Sequence, residues 1–365
     1  MPDPQTTALV HDWITIPGGA EEVLREILGI FPGTVFTAQY NAARFPWLQN
    51  VKVKDTWLSK MPLSKTRHYV YAPILADVYS KIDLSGYKLI LTDSHTFAHN
   101  VKKPKDALHI CYYHTPARSL WAPEIDDRAG GNDPLRRAIV KRLKRIDLLA
   151  SKNPDVVLAN SETTAARIRA VYKREVEEVI YPGVDTKKWS DVQRFSGDEG
   201  YLLWGRLIRY KRYDLAIEAA KITGAKVNIV GAGPHLEKLK ELAHNVPNVV
   251  FHGRLPDDQL KDLMAHCRAV LFPGYEDFGI VPVEAMAAGI PVIAFGKGGA
   301  SETVAEDCGV QFAEQTPECL AEAIRELENR SFEPATLKAR AALYDTSVFR
   351  TKYRAVVERH LAKSR

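Results

Sequence analysis

Along this 365-residue chain, short apolar runs rich in β-branched residues alternate with amphipathic stretches. ALVHDW (8–13) is followed by a helix-like 20–31 and LILTDS (89–94) by a mixed segment; then come LHICYYH (108–114), DVVLANS (155–161) with a helix-like 162–173, and EEVIYPG (177–183). A polar stretch, about 183–199, interrupts the rhythm, which restarts with YLLWGRL (201–207), KVNIVGAG (226–233), NVVFHGR (248–254), AVLFPGY (269–275) and IPVIAFG (290–296). Such alternation predicts βαβ units and mostly parallel sheets. The fold class is therefore α/β: two doubly wound Rossmann-like domains, 1–185 and 186–346, with the polar stretch as linker. Ligands bind such sheets outside the carboxyl ends of the strands, so the two edges are expected to face a central cleft. Phe349, Tyr353, Val356, Val357, His360 and Leu361 recur at helical spacing and predict a terminal helix, 347–365, packed back on the first domain.

Within the second half, the run from Phe272 to Ile293 is the most informative. A strand leads into a Gly/Pro loop, Pro282 suits the first turn of a helix, and Gly289 suits the position just past its end. The amides of Gly279, Ile280 and Val281 are then expected to point outward at the positive end of that helix, which attracts anions. Glu276 and Glu284 flank this end. A carboxylate beside an anion site is better used on sugar hydroxyls than on the anion itself. Taken alone, each reads first as structural, Glu276 as a solvated loop residue and Glu284 as a helix cap; the pattern as a whole points to function. Upstream, Arg206 and Lys211 straddle a strand-to-helix loop and can reach one diphosphate, Arg as a fork and Lys as a point charge. Arg209 and Arg212 read as a solvated basic turn.

Composition narrows the classes. With 45% hydrophobic and 26% charged residues the chain is an ordinary globular protein. No apolar run is long enough to span a membrane, and the first residues lack a leader pattern, so a cytoplasmic protein is expected. Cys111, Cys267, Cys308 and Cys319 form no C-x-x-C pair and read as buried, reduced core residues; no metal-ligand spacing is visible. The net charge of +5 comes from residues 1–180, with 25 Lys+Arg against 20 Asp+Glu. That half is expected to face something anionic. Asp133 and Pro134 mark a helix start, and Leu135, Ile139, Leu143, Ile146 and Leu149 form its apolar stripe beside Arg136, Arg137, Lys141, Arg142, Lys144 and Arg145. This pattern fits an ordinary packed surface helix or one that lies on an anionic membrane.

Taken together, GRLxxxK (205–211), ExFGIxxxE (276–284), AMAxGxPVI (285–293) and GGxxETV (298–304) resemble the retaining GT-B glycosyltransferases of family 4, and the likeness covers most of the chain. It implies an acceptor-binding first domain and a donor-binding second one. It also implies that Arg206 and Lys211 hold the donor diphosphate, that Glu276 binds the donor sugar and Glu284 the ribose, and that Phe278 to Val281 border the donor. The run VHDWxxxPGGAEEV (10–23) matches too, placing Gly18 and Gly19 in a loop that closes over diphosphate and acceptor. YYHTPARSLW (112–121) and NSET (160–163) are similar to the bacterial lipid-linked-oligosaccharide mannosyltransferase branch. By that likeness His114 lies near the anomeric carbon, and His11, Asp12, Arg118 and Trp121 line the acceptor side.

The expected catalytic set is thus His114, Glu276, Arg206 and Lys211. The expected donor is a nucleotide-diphosphate sugar, GDP-mannose before a UDP-hexose. The acceptor is a lipid-linked or other glycan, for example one carried on polyprenyl diphosphate at the inner face of the cell membrane. No cofactor, metal or nucleic acid is expected. Metal-dependent sugar transfer commonly uses an Asp-x-Asp, which this sequence lacks, and the positive groups can meet the leaving diphosphate instead. A nucleotide-sugar 2-epimerase shares the architecture but leaves 112–121 unexplained. A non-catalytic nucleotide-sugar binder is a further alternative, and a dehydrogenase is disfavoured because Leu236 stands where a third fingerprint Gly belongs in GAGPHL (231–236).

Overall fold

A computed structural model of the chain describes residues 2–123, 125–126, 133–195 and 200–363. It divides into two compact units, Met1–Tyr181 with Phe349–Arg365, and Pro182–Val348. The sequence reading put the boundaries after 185 and 346, a few residues from these.

In the first unit, seven parallel strands run in the order β3-β2-β1-β4-β5-β6-β7. They are β1 Thr7–His11, β2 Thr34–Thr37, β3 Val53–Asp55, β4 Leu89–Ser94, β5 Leu108–Tyr113, β6 Val156–Ala159 and β7 Glu178–Val179. β2 and β3 escaped the sequence reading because they are only four and three residues long and neither alternates: β2 is wholly buried and β3 is a solvated edge. The helix Gly19–Ile30 lays Val23, Leu24, Ile27 and Ile30 against the sheet, in one cluster with Leu9, Leu91 and Tyr112. Phe349, Tyr353, Val356 and Val357 of the helix Thr346–Lys363 complete that cluster. An ion pair between Arg350 and Glu26 joins the two helices at their rims.

The second unit holds six parallel strands in the order β10-β9-β8-β11-β12-β13. These are β8 Tyr201–Trp204, β9 Val227–Val230, β10 Val249–Gly253, β11 Ala269–Phe272, β12 Val292–Phe295 and β13 Gly309–Phe312. β13 was not anticipated. The polar segment read as a linker is largely part of this unit: it contains the short helix Lys187–Ser190, Trp189 and Val192 are buried, and Arg194 donates to the backbone oxygens of Met264 and Cys267. Residues 196–199 of it lie outside the described residues. Its charged composition masked two apolar anchors. All four cysteines are free, and Cys319 is half-buried rather than buried as expected.

Both strand orders reverse once, between β1 and β4 and between β8 and β11. At such a reversal the loops leaving adjacent strands diverge, opening a crevice at the carboxyl edge.

Candidate active site

The second unit's reversal is furnished by two contiguous segments. After Trp204 the chain turns through Gly205 and exposed Arg206 to a 3-10 turn, Arg209–Lys211. After Phe272 it enters the 273–279 loop. Gly274 lets that loop touch the first one, since a Cβ there would lie 2.9 Å from Lys211 Cα. On the other side a Cβ at Gly298 would lie 2.5 Å from the carbonyl oxygen of Glu276, to which the Gly299 amide donates at 2.9 Å. Close backbone packing therefore fixes the Glu276 loop from both sides.

Lys211 Nζ lies 2.8 Å from Glu276 Oε1, with both side chains only 16% exposed. Burial works against the ammonium charge, but the Glu276 carboxylate and the nearby phenols of Tyr213 and Tyr210 hold Lys211 above the ordinary lysine range. This pairing resolves the difficulty of a carboxylate beside an anion site: Lys211 neutralises it. Arg206 is exposed and has no partner among the described residues. Of the two arginines read as a solvated turn, Arg212 is tied to Asp214 through two nitrogens.

Gly279, at φ 86°, starts the helix Ile280–Ala287, a backbone angle that disfavours other residues. Pro282 falls in its first turn, and Gly289 follows the last helical residues at φ 72°. The first-turn amides of Ile280 and Val281 thus sit where the helix dipole favours negative charge. Glu284 accepts a hydrogen bond from Trp204 Nε1 at 3.0 Å, which ties the helix to the end of β8, and burial raises its carboxyl above the usual range. Phe278 differs from expectation. It is 4% exposed with its ring 5.9 Å from that of Tyr344, so its side chain anchors the loop in the core.

The first unit's reversal is furnished by residues from three strands. His11, Asp93 and Tyr112 are in register across β1, β4 and β5, so their side chains share a face, to which His114 returns two residues later. Asp93 bridges two imidazoles: His11 Nδ1 lies 2.8 Å from Oδ2 and His114 Nε2 2.6 Å from Oδ1. Glu21 Oε1 lies 3.8 Å from the far nitrogen of His11. Burial disfavours every charge here, yet the two imidazoles hold Asp93 well below the carboxylate range, and the Asp93 and Glu21 carboxylates hold His11 well above the imidazole range. His95 joins the cluster, its ring 5.7 Å from His11 and 6.3 Å from His114, and burial lowers its pKa. Gly18 and Gly19 sit at the start of the helix Gly19–Ile30, and a Cβ at Gly18 would lie 3.1 Å from Glu21 Oε2.

Three residues assigned to the acceptor side are otherwise engaged. His11 and Asp12 are fully buried, and Asp12 accepts from the amides of His95, Thr96, Phe97 and Ala98 at 2.6–2.8 Å. With four amides on two oxygens, Asp12 shapes the 95–98 loop and has no face for an acceptor. Trp121 donates Nε1 to buried Asp147 at 2.6 Å and carries Lys144 Nζ 4.8 Å above its ring, so it is committed to the helix Pro134–Ala150. Arg118 is half-buried at the start of the short helix Arg118–Trp121. Asp93, Glu21, His95 and Asp147 were missed because a lone acid or His in a strand or helix carries no local signal; only the register of three strands assembles them.

Comparison with known proteins follows the same division. Residues 185–344 match the family described as Glycosyl transferases group 1, and residues 34–188 match Glycosyltransferase Family 4. The chain is 30% identical over 222 residues to the GDP-mannose-dependent alpha-(1-6)-phosphatidylinositol monomannoside mannosyltransferase of Mycobacterium tuberculosis, covering 53% of this chain and 56% of that protein. It is 28% identical over 190 residues to the O-antigen chain mannosyltransferase C of Escherichia coli, covering 48% and 51%. The chain thus spans little more than half the length of the curated relatives it matches. Among solved structures, sucrose-phosphate synthase from Thermosynechococcus elongatus shares the fold at a TM-score of 0.72 and 19% identity, over 98% of this chain and 100% of that one. Anabaena HepE in complex with UDP does so at 0.70 and 19%, over 96% and 99%.

Proposed function

The chain belongs to the group 1 and family 4 glycosyltransferases of GT-B fold, and from that premise we propose that it moves mannose from GDP-mannose to a lipid-linked glycan acceptor, with retention and without a metal. The observation that carries this reading is the Lys211–Glu276 pair beside the start of the helix Ile280–Ala287, at the reversal of the second sheet. The mannose choice is supported by the likeness to mannosyltransferases, one of them GDP-mannose-dependent.

As the glycosidic bond to the diphosphate breaks, charge grows on the departing phosphate. Arg206, Lys211 and the helix amides of Ile280 and Val281 meet that charge with donors already in place, which is where preorganised electrostatics lowers a barrier most. Glu276, neutralised by Lys211, is free to accept from sugar hydroxyls, and Glu284 from the ribose. Retention follows if the acceptor attacks the face the phosphate leaves and the phosphate takes the acceptor proton. His114 is assigned to the anomeric carbon, a role supported by the likeness of YYHTPARSLW to mannosyltransferases. A screen of GDP- and UDP-sugars for nucleotide release tests the donor: GDP from GDP-mannose is expected, and release of UDP alone would overturn it.

The acceptor reading includes an anionic membrane surface, supported by an unexpected feature of the helix Pro134–Ala150. Asp133 caps it as read from the sequence, but its stripe is not buried throughout: Leu135 and Leu149 are 69% and 58% exposed. At 100° per residue the buried face, Leu143, Asp147 and Ala150, is turned by roughly a sixth of a turn from the stripe. Asp147 causes the rotation, because it is fully buried and accepts from Trp121 and Tyr172. The outward arc is left with Arg137, Lys141 and Arg145 interleaved with Leu135, Leu148 and Leu149, and holds no acid of its own, while Arg142 at its edge is paired with Asp77 at 2.6 Å. Cations with apolar neighbours suit an interfacial position, each cation adding about 1 kcal/mol near anionic lipid. Among the described residues no helix is long and apolar enough to cross a membrane. Co-sedimentation with phosphatidylglycerol vesicles, weakened by salt and by changing Arg137, Lys141 and Arg145 to Gln, is expected; equal recovery on neutral vesicles would contradict it.

A further inference from the structure

The Asp93 network carries an inference about the reacting centre itself. Asp93 is 1% exposed, lies at the carboxyl edge of β4 beside the strand reversal, and each of its oxygens meets a different imidazole. An ionised carboxylate only accepts hydrogen bonds, so the nitrogens facing it, His11 Nδ1 and His114 Nε2, both carry hydrogen. For His114 this leaves Nδ1 as the nitrogen open to other partners, and that atom has none among the described residues. The rest of the ring is fenced. Tyr112 packs edge-on at 5.3 Å and His95 at 6.3 Å, while the backbone of His114 is held by Ser94 O, at 2.9 Å from its amide, and by Thr164 Oγ1, which donates to its carbonyl at 3.0 Å.

We propose that Asp93 is a positioning residue: it fixes the tautomer and angle of His114 so that Nδ1 is the nitrogen left to serve the reacting sugar, with His11 as the second imidazole that keeps Asp93 ionised. The inference rests on the reading of His114 as the residue beside the anomeric carbon and adds the group through which the chain controls it. The groups facing the cluster fit this arrangement. Glu21 lies beyond His11 and shares its charge, Asp12 lies 3.8 Å from His95 with both oxygens already used by amides, and among the described residues no Lys or Arg contacts Asp93. Asp93 thus takes its counter-charge from His11 and a second hydrogen bond from His114. His11, fully buried, cannot meet a ligand; its contribution is made through Asp93.

The test is a double-mutant cycle on the intact chain, with GDP-mannose as donor and membrane lipid extract as acceptor, combined with nitrogen-15 NMR of labelled histidine. Asp93→Asn keeps the shape and removes the charge. It is expected to lower kcat about 10²-fold with KM nearly unchanged, the size of loss that follows when a reacting group is misplaced. His114→Ala should lose as much, and the double variant no more than either, since the two act as one unit. In the wild type the His114 ring should show a protonated Nε2 and a bare Nδ1, and Asp93→Asn should mix or reverse these signals while circular dichroism stays native. If the two losses multiply in the double variant, or the His114 signals are unmoved by Asp93→Asn, the positioning role is wrong though His114 keeps its place. Wild-type turnover by His114→Ala would instead overturn the reading of His114, and this inference with it. Should Asp93→Asn fail to fold, His11→Gln, which leaves Asp93 in place with one imidazole, must shift the His114 ring signals, and unmoved signals would count against the inference equally.

Discussion

The two sheets open a crevice by the same device, a reversal of strand order, but furnish it differently. In the second unit the working groups lie on loops, in two short segments, and are held by glycine-mediated backbone contact: Lys211 and Glu276 are half-buried, and Arg206 is exposed. In the first unit they lie on or just beyond the strands, far apart in sequence, and are held by buried charge: His11, Asp12 and Asp93 have at most 1% exposure. The difference separates two costs. An exposed loop group such as Arg206 can be removed at little expense to the fold, whereas a buried ionised group removed from its partners strands them in a medium that penalises unmet charge.

The largest expected effect breaks function without breaking the fold. Glu276→Ala should nearly abolish sugar transfer while circular dichroism stays native, because backbone contacts at Gly274, Gly298 and Gly299 hold the loop whether or not the carboxylate is there. Near-normal turnover would remove the second crevice from the account. The converse case is Asp12→Ala, which strands the amides of residues 95–98 in the interior and should cost about 3 kcal/mol. Its first thermal transition should drop by several degrees; an unchanged transition would mean that the buried carboxylate does not hold the loop.

A subtler difference is expected with pH. Asp93 is depressed in the fold, so its stabilisation is complete above an unfolded value of about 3.9 and is lost as pH falls below it. His11 is raised, so its contribution is complete below about 6.5 and is lost as pH climbs beyond. The stability gap between the wild type and Asp93→Asn should therefore be widest between about pH 4 and 6.5 and narrow on either side. A gap independent of pH would show that the network is not ionised. Smallest of all should be the effect on stability of changing Arg137, Lys141 and Arg145 to Gln. All three are exposed, and each should move unfolding by no more than about 0.5 kcal/mol. A marked loss would mean that the outward arc of the helix is an internal contact.

What the sequence made legible follows the same divide. The central strands β1, β4, β5, β8, β9, β11 and β12 were readable as apolar runs, and so was the crevice of the second unit, whose residues stand within two contiguous segments. Glycine and proline marked its turns and helix ends, and Lys211 and Glu276 stood out through the pattern around them and its family resemblance. The short strands β2, β3 and β13 were hidden by their length. The Asp93 network was hidden because its members are separated by up to about a hundred positions and gain meaning only through strand register. Phe278 and Trp121 show the converse: both stand inside a recognisable motif, yet the fold spends the ring of one on core packing and the indole N–H of the other on Asp147, which no local pattern announces.

The central claim, that Arg206, Lys211, Glu276 and a helix end carry metal-independent transfer from GDP-mannose, is tested most directly by following labelled mannose from GDP-mannose into membrane lipid extract in the presence of EDTA. The account predicts incorporation by the wild type at the rate seen without EDTA, and almost none by Glu276→Ala. Incorporation that disappears with EDTA and returns only with Mg²⁺ or Mn²⁺, or that persists in Glu276→Ala, would contradict it.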